Sequence, residues 1–133
     1  MNSLVTLVAR ILLSLIFLLS GLSKLGDISS TVVFMESRGV PFSSVLVYAA
    51  AIVEITGALF LITGYRAKTG ALLLSLYLIP VTYLFHYKIV FSPLTTASEQ
   101  KVQMMYMVKN ISIIGGLLLA YCNGVGNWKI GRE

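Results

Sequence analysis

Glu54, His86, Lys109 and Arg10 lie within or at the ends of long apolar runs, where an ionisable side chain needs a reason to be. A lone charge near the centre of a bilayer costs at least ~2.5 kcal/mol, so such groups usually pair or face inward. A carboxylate there can relay a proton, an imidazole can change charge near neutral pH, and Lys109 beside Asn110 offers several donors with no local need for them. The set is one carboxylate against two cations and a titratable imidazole, a balance that favours an anion or an electron-rich oxygen as guest. We therefore read Glu54, His86 and Lys109 as catalytic, and Asn110, Arg10 and Tyr106 as binding a cofactor, with Arg10 holding Glu54 ionised. Plainer roles stand beside these. Glu54 could be a structural ion pair with Arg10 or Lys109, Arg10 could snorkel to headgroups, and His86 could be an interfacial histidine near Lys88.

Missing motifs narrow the chemistry. A single histidine rules out a bis-histidine haem, and His86 with Glu54 alone would leave a metal underliganded, so no metal or haem is expected. Cys122 is the one cysteine, which excludes an internal disulfide and a Cys-x-x-Cys pair. Gly115 and Gly116 fall mid-helix, and Gly124-Val125-Gly126 follows a helix instead of a strand, so neither is a dinucleotide fingerprint.

The elements that must position these groups follow from composition. Of 133 residues 57% are hydrophobic and 11% charged, and the mean hydropathy is +0.89, too little polarity to cover a water-facing surface. The length suits one domain, 1–133. The net charge of +5 is dispersed through loops and helix ends, which points to anionic lipid and away from nucleic acid. A bilayer core of ~30 Å takes ~20 apolar residues per helix, and four segments qualify, at about 4–22, 43–64, 69–90 and 103–121. The expected fold is all-α, a transmembrane four-helix bundle with a short interfacial helix between the first two spans, ended by Gly39 and Pro41. Residues 91–101 read as an exposed loop. The first span carries Arg10 and lacks an Ala-x-Ala site, so it reads as retained and not as a cleaved signal.

Each span shows a small or polar stripe at helical spacing. These are Arg10, Ser14, Phe17, Gly21 and Lys24; Ala50, Glu54, Gly57, Leu61 and Gly64; Ser75, Ile79, Thr82 and His86; and Val102, Tyr106, Lys109, Ile113, Gly116 and Ala120. The glycines and serines need only allow close packing. At 1.5 Å per residue, Glu54 falls near the midplane, Arg10 and Lys109 roughly 5 Å to either side and His86 roughly 10 Å out, so the charges can converge. Arg66, Lys68, Lys129 and Arg132 are weighed against Lys24, Arg38, Lys88 and Lys101. The first group sits in short segments almost free of acids, which favours cytoplasmic termini in a multi-pass inner-membrane protein. Trp128 is expected at headgroup level.

Several short pieces, in order along the whole chain, resemble the DoxX family. They are Arg10 to Phe17, then Ser20-Gly21-Leu22-Ser23-Lys24-Leu25, Gly39-Val40-Pro41, Glu54 with Gly57, Phe85-His86, and Lys109-Asn110 with Gly115-Gly116. The resemblance implies a four-helix membrane protein, often an oxidoreductase component, similar to the membrane subunit of an archaeal thiosulfate:quinone oxidoreductase. The leading expectation is a subunit that binds a quinone or small redox substrate inside the bundle and works with a partner protein or as a homo-oligomer. The other readings are a non-catalytic membrane scaffold or chaperone and, as an oligomer, a small-anion carrier.

Overall fold

The computed structural model describes residues 3–124 and 126–130, so Arg132, used above for orientation, lies outside the described residues. Helix α1 (Ser3–Gly26) is followed by α2 (Ile28–Ser37), α3 (Ser43–Thr63) and α4 (Ala67–Thr82). A π-helical turn (Tyr83–Tyr87) leads into α5 (Lys88–Val90), and α6 (Ala97–Asn123) closes the order; the described residues contain no strand. Four helical stretches are long and apolar enough to cross a membrane: α1, α3, the continuous run Ala67–Val90, and α6. Their outward faces carry residues such as Leu12, Leu19, Ile52, Leu59, Leu76 and Leu119, all well exposed, as lipid contact requires.

Two boundaries differ from the expected ones for capping reasons. Helix α1 runs on to Gly26 because only Asp27 separates it from α2; the Asp27 carboxylate accepts from Ser30 N (3.1 Å) and Ser30 Oγ (2.7 Å), starting the next helix. Helix α6 begins at Ala97, not near 103, because Thr96 accepts from the Glu99 amide at 3.3 Å. The segment Thr96-Ala97-Ser98-Glu99 has the sequence form of a capping box, a start signal inside what reads as loop. The short helix is present as expected. It ends where Gly39 turns to φ +74° and Val40 N bonds back to Met35 O at 3.1 Å.

Helix α1 packs on α3, α3 on α4, and α4 on α6, while α1 meets α6 only sparsely. Close approaches set the register. A Cβ on Gly21 would stand 2.7 Å from Ile55 Cγ1 and 3.2 Å from Ala51 O, so α1 lies nearly backbone to backbone on α3 there. Likewise a Cβ on Gly70 would lie 2.9 Å from Gly57 O, which presses the α3–α4 hairpin together. An apolar layer including Phe17, Ala58, Leu61, Ala71, Leu74 and Leu117 fills the hairpin half of the bundle. In the other half, Met35 and Val40 bury against Val47, with Leu84 and Phe85 beside them.

Pro80 lies inside α4, where its ring and missing N–H disturb the helix, and the wider π turn follows within three residues. That widening keeps Leu78, Thr82, His86 and Val90, each four residues apart, on the inward side. Ile79 of the expected stripe instead faces out at 56% exposure. The last helix keeps Ile113, Gly116 and Ala120 of the expected stripe half-buried but is turned part of a step, so that the inward face shifts toward the next position. Its buried residues are Asn110 and Leu117, while Val102, Tyr106 and Lys109 are exposed.

Candidate functional site

A cavity of about 710 Å³ opens between α1, α2, α3, α4, the π turn and α6. Its walls are mainly apolar, with Phe17, Phe34, Leu78, Leu84, Phe85 and Ile113 among them, and Ser20, Lys24, Glu54, Tyr77, His86, Lys109 and Asn110 add polar groups. The three residues expected to be catalytic, Glu54, His86 and Lys109, line this one space with Asn110.

Glu54 is buried on α3, and its carboxylate is held from two neighbouring helices. Lys24 Nζ reaches Oε2 at 2.9 Å and Oε1 at 3.1 Å, Ser20 Oγ donates to Oε1 at 3.1 Å, and Tyr77 Oη donates to Oε1 at 2.9 Å. Lys24 Nζ also donates to Ser20 Oγ at 2.7 Å, so the i, i+4 pair on the last turns of α1 forms one bracket round the carboxylate. Such bonding offsets the desolvation of a charge that would otherwise be costly so deep in the bundle.

The second polar group lies on the π turn and α6. His86 Nδ1 sits 2.7 Å from Gln103 Oε1, and Asn110 Nδ2 donates to Thr82 Oγ1 at 3.2 Å. Lys109 Nζ stands 5.0 Å from the centroid of the Tyr106 ring, which in turn lies 5.6 Å from the His86 ring. Lys109 is not the buried ammonium expected. It is exposed at the cavity edge and forms no ion pair among the described residues, because the rotation of α6 gives Asn110 the inward place. Tyr106 is not among the lining residues and reaches the site through Lys109 and His86.

Arg10 does not meet Glu54, which corrects its expected role. The contact of Gly21 with Ala51 and Glu54 sets the register, and Arg10 lies eleven residues before Gly21, roughly 16 Å along the helix. There its guanidinium donates to Ile62 O at 3.1 Å, one of the last carbonyls of α3, where a cation also complements the helix dipole. Residues Asn127–Ile130 of the tail pass beside it, and Ile130 N donates to Thr63 O at 2.9 Å. Arg10 thus fastens the hairpin end of the bundle.

Lys24, Ser20, Tyr77, Gln103 and Thr82 are the site residues that sequence reasoning missed. Lys24 stood on the same stripe as Gly21, and an axial match of Gly21 to Ala51-x-x-Glu54 would have favoured it over Arg10. Tyr77 gave no signal, since a tyrosine in an apolar run reads as packing.

The DoxX family model matches residues 5–87. Inner membrane protein YqjF of Escherichia coli (strain K12) is 31% identical over 126 residues, covering 95% of this chain and 88% of the relative. Inner membrane protein YphA of the same organism is 28% identical over 127 residues, covering 96% of this chain and 88% of the relative. No solved structure gives a significant match. With four membrane-length helices and likeness along nearly its whole length, the chain is a multi-pass inner-membrane protein and belongs to the DoxX family.

Proposed function

We propose that this protein is a membrane oxidoreductase subunit that binds a quinone, or a similar small redox substrate, in the cavity and exchanges electrons with a partner protein. The observation that carries this reading is a largely apolar space of about 710 Å³ into which polar groups from α1, α3, α4, the π turn and α6 converge. Sites for small aromatic ligands have about 300–1,000 Å³ and pair apolar walls with a few placed donors. The ammonium of Lys109, the amide of Asn110 and the ring of His86 are the groups suited to hold a carbonyl oxygen. Glu54 is suited to handle protons, and Lys24, not Arg10, is the cation bonded to its carboxylate. A bound quinone supplies two-electron, two-proton redox chemistry that the chain, with one cysteine and no dithiol, lacks. Its electrons then come from or go to a partner.

The other readings fit less well. A scaffold calls for filled space and charge paired within the bundle, whereas Lys109, among the described residues, forms no ion pair and stands over the Tyr106 ring. A carrier calls for a polar path to both ends, whereas Leu61, Leu74 and Leu117 pack the hairpin half. Purification from native membrane with mass spectrometry of co-extracted lipids and proteins tests the proposal. Wild-type protein is expected to retain quinone, and Lys109→Ala and Glu54→Gln to lower its occupancy. Normal insertion of both variants with unchanged occupancy would remove the assignment.

A further inference from the structure

We propose that Lys24 is the proton port of Glu54, joining the cavity to the membrane side on which α1 ends and to that side alone. The proposal rests on the reading that Glu54 handles protons in this cavity, and deepens it by giving the reaction a side.

Three observations carry it. The Lys24 side chain, in the last turn of α1, is 20% exposed while that of Glu54 is 5% exposed, so Lys24 is the more open member of the pair and the one nearer the end of its helix. From Lys24 Nζ the path continues through the carboxylate, at 2.9 Å, to Tyr77 Oη, also at 2.9 Å, and all three residues line the cavity. Among the described residues no such path continues toward the hairpin end. The buried serines there turn their hydroxyls back on their own helices, Ser14 to Arg10 O at 2.6 Å and Ser75 to Ala71 O at 2.8 Å. Around them the fully buried Ala58, Leu61, Leu74 and Leu117 leave no exchangeable proton on any side chain.

The step balances without a further reactant. The Lys24 ammonium passes a proton to the Glu54 carboxylate, leaving a neutral amine and a neutral acid. The amine then takes a proton from hydronium on its exposed side, and the acid returns to carboxylate by giving its proton to Tyr77 Oη as Tyr77 turns and releases its own hydroxyl proton to an acceptor in the cavity. The ionisable groups around Glu54 are Lys24 from α1 and Tyr77 from α4, with His86 of the π turn and Lys109 of α6 lining the same cavity; α2 adds Thr31, Phe34 and Met35, none charged. Lys24 acts through Glu54 and is a positioning residue in that sense.

A purely structural lysine is replaceable by any cation of similar reach, whereas a port must release its proton. Arginine keeps the charge but does not deprotonate. The test uses protein inserted in one known orientation in sealed vesicles, with the infrared carboxyl band of Glu54 identified by its loss in Glu54→Gln. Acidifying the α2 side is expected to protonate Glu54 promptly, and acidifying the hairpin side to do so only as fast as the membrane leaks. Lys24→Arg is expected to slow the first response at least about tenfold. Should Lys24→Arg fold poorly, Lys24→Cys with Cys122→Ser provides a second comparison. Aminoethylation, which restores a titratable amine, should restore the rate, and a fixed trimethylammonium of the same charge should not. Equal rates for the paired modifications, a wild-type rate in folded Lys24→Arg, or a prompt response from the hairpin side overturns the proposal. If the protein from native membrane holds no quinone yet this one-sided, Lys24-dependent response is seen, the proposed function fails and the port stands.

Discussion

Removing either member of the Lys24–Glu54 pair should destabilise the bundle by unequal amounts, and the inequality can be worked from their surroundings. Breaking a buried pair by deleting one partner typically costs about 3–5 kcal/mol, because the charge left behind is uncompensated. Lys24→Met leaves Glu54 with its side chain 5% exposed, still accepting from Ser20 and Tyr77. Those two hydrogen bonds offset part of the loss, at about 1 kcal/mol each, and place the cost at roughly 1–3 kcal/mol. Glu54→Gln leaves Lys24 20% exposed on the last turn of α1, from which its long chain can swing to the surface. The glutamine oxygen can still accept from Ser20 and Tyr77, so that variant should cost only about 1 kcal/mol. In Lys24→Met/Glu54→Gln no buried charge remains, and the total should fall near that of Glu54→Gln alone, a coupling of about 2 kcal/mol. Reversible unfolding in mixed micelles, followed by far-UV circular dichroism, measures all three. Equal costs for the two single variants, or a double variant equal to their sum, would refute the reasoning that Glu54 is the buried and dependent partner.

Two glycines should respond oppositely to alanine. Gly70→Ala places a Cβ 2.9 Å from Gly57 O and 2.8 Å from Phe60 Cβ, and should cost about 1–3 kcal/mol by forcing α3 and α4 apart. Gly115→Ala, with nothing within 4 Å of its Cβ, should be neutral or stabilising by up to about 1 kcal/mol in the same assay. At the start of α2, hydrogen bonds from the Ser30 side chain and amide hold the Asp27 carboxyl below its ordinary value. A lowered folded value means that the cap's contribution is complete above the ordinary carboxylate range of about 4 and is lost as pH falls through the folded value. Hydrogen exchange at the Ser30 amide should therefore quicken on acidification beyond the intrinsic change, and Asp27→Asn, which keeps the acceptor oxygen, should remove that excess.

The sequence alone determined the four spans, the short helix between the first two, and the inward faces of α1 and α3. Arg10, Ser14, Phe17 and Gly21 are buried as their spacing requires, and so are Glu54, Gly57 and Leu61. Helical period and the polarity of lipid suffice for that, since both act within one element. What tertiary structure decided is how the elements slide and turn against each other. The bare backbone contact of Gly21 on Ala51 sets α1 along α3 so that Lys24 reaches Glu54 and Arg10 caps Ile62. The turn of α6, which puts Asn110 inside and Lys109 at the edge, and the π turn after Pro80 were equally beyond the pattern. In the last two spans the expected stripes included Ile79, Val102 and Tyr106, which are exposed and which lipid accepts as readily as protein, so the pattern cannot distinguish the face turned to lipid from the face turned to protein. Packing between neighbours makes that distinction, and with it the cavity.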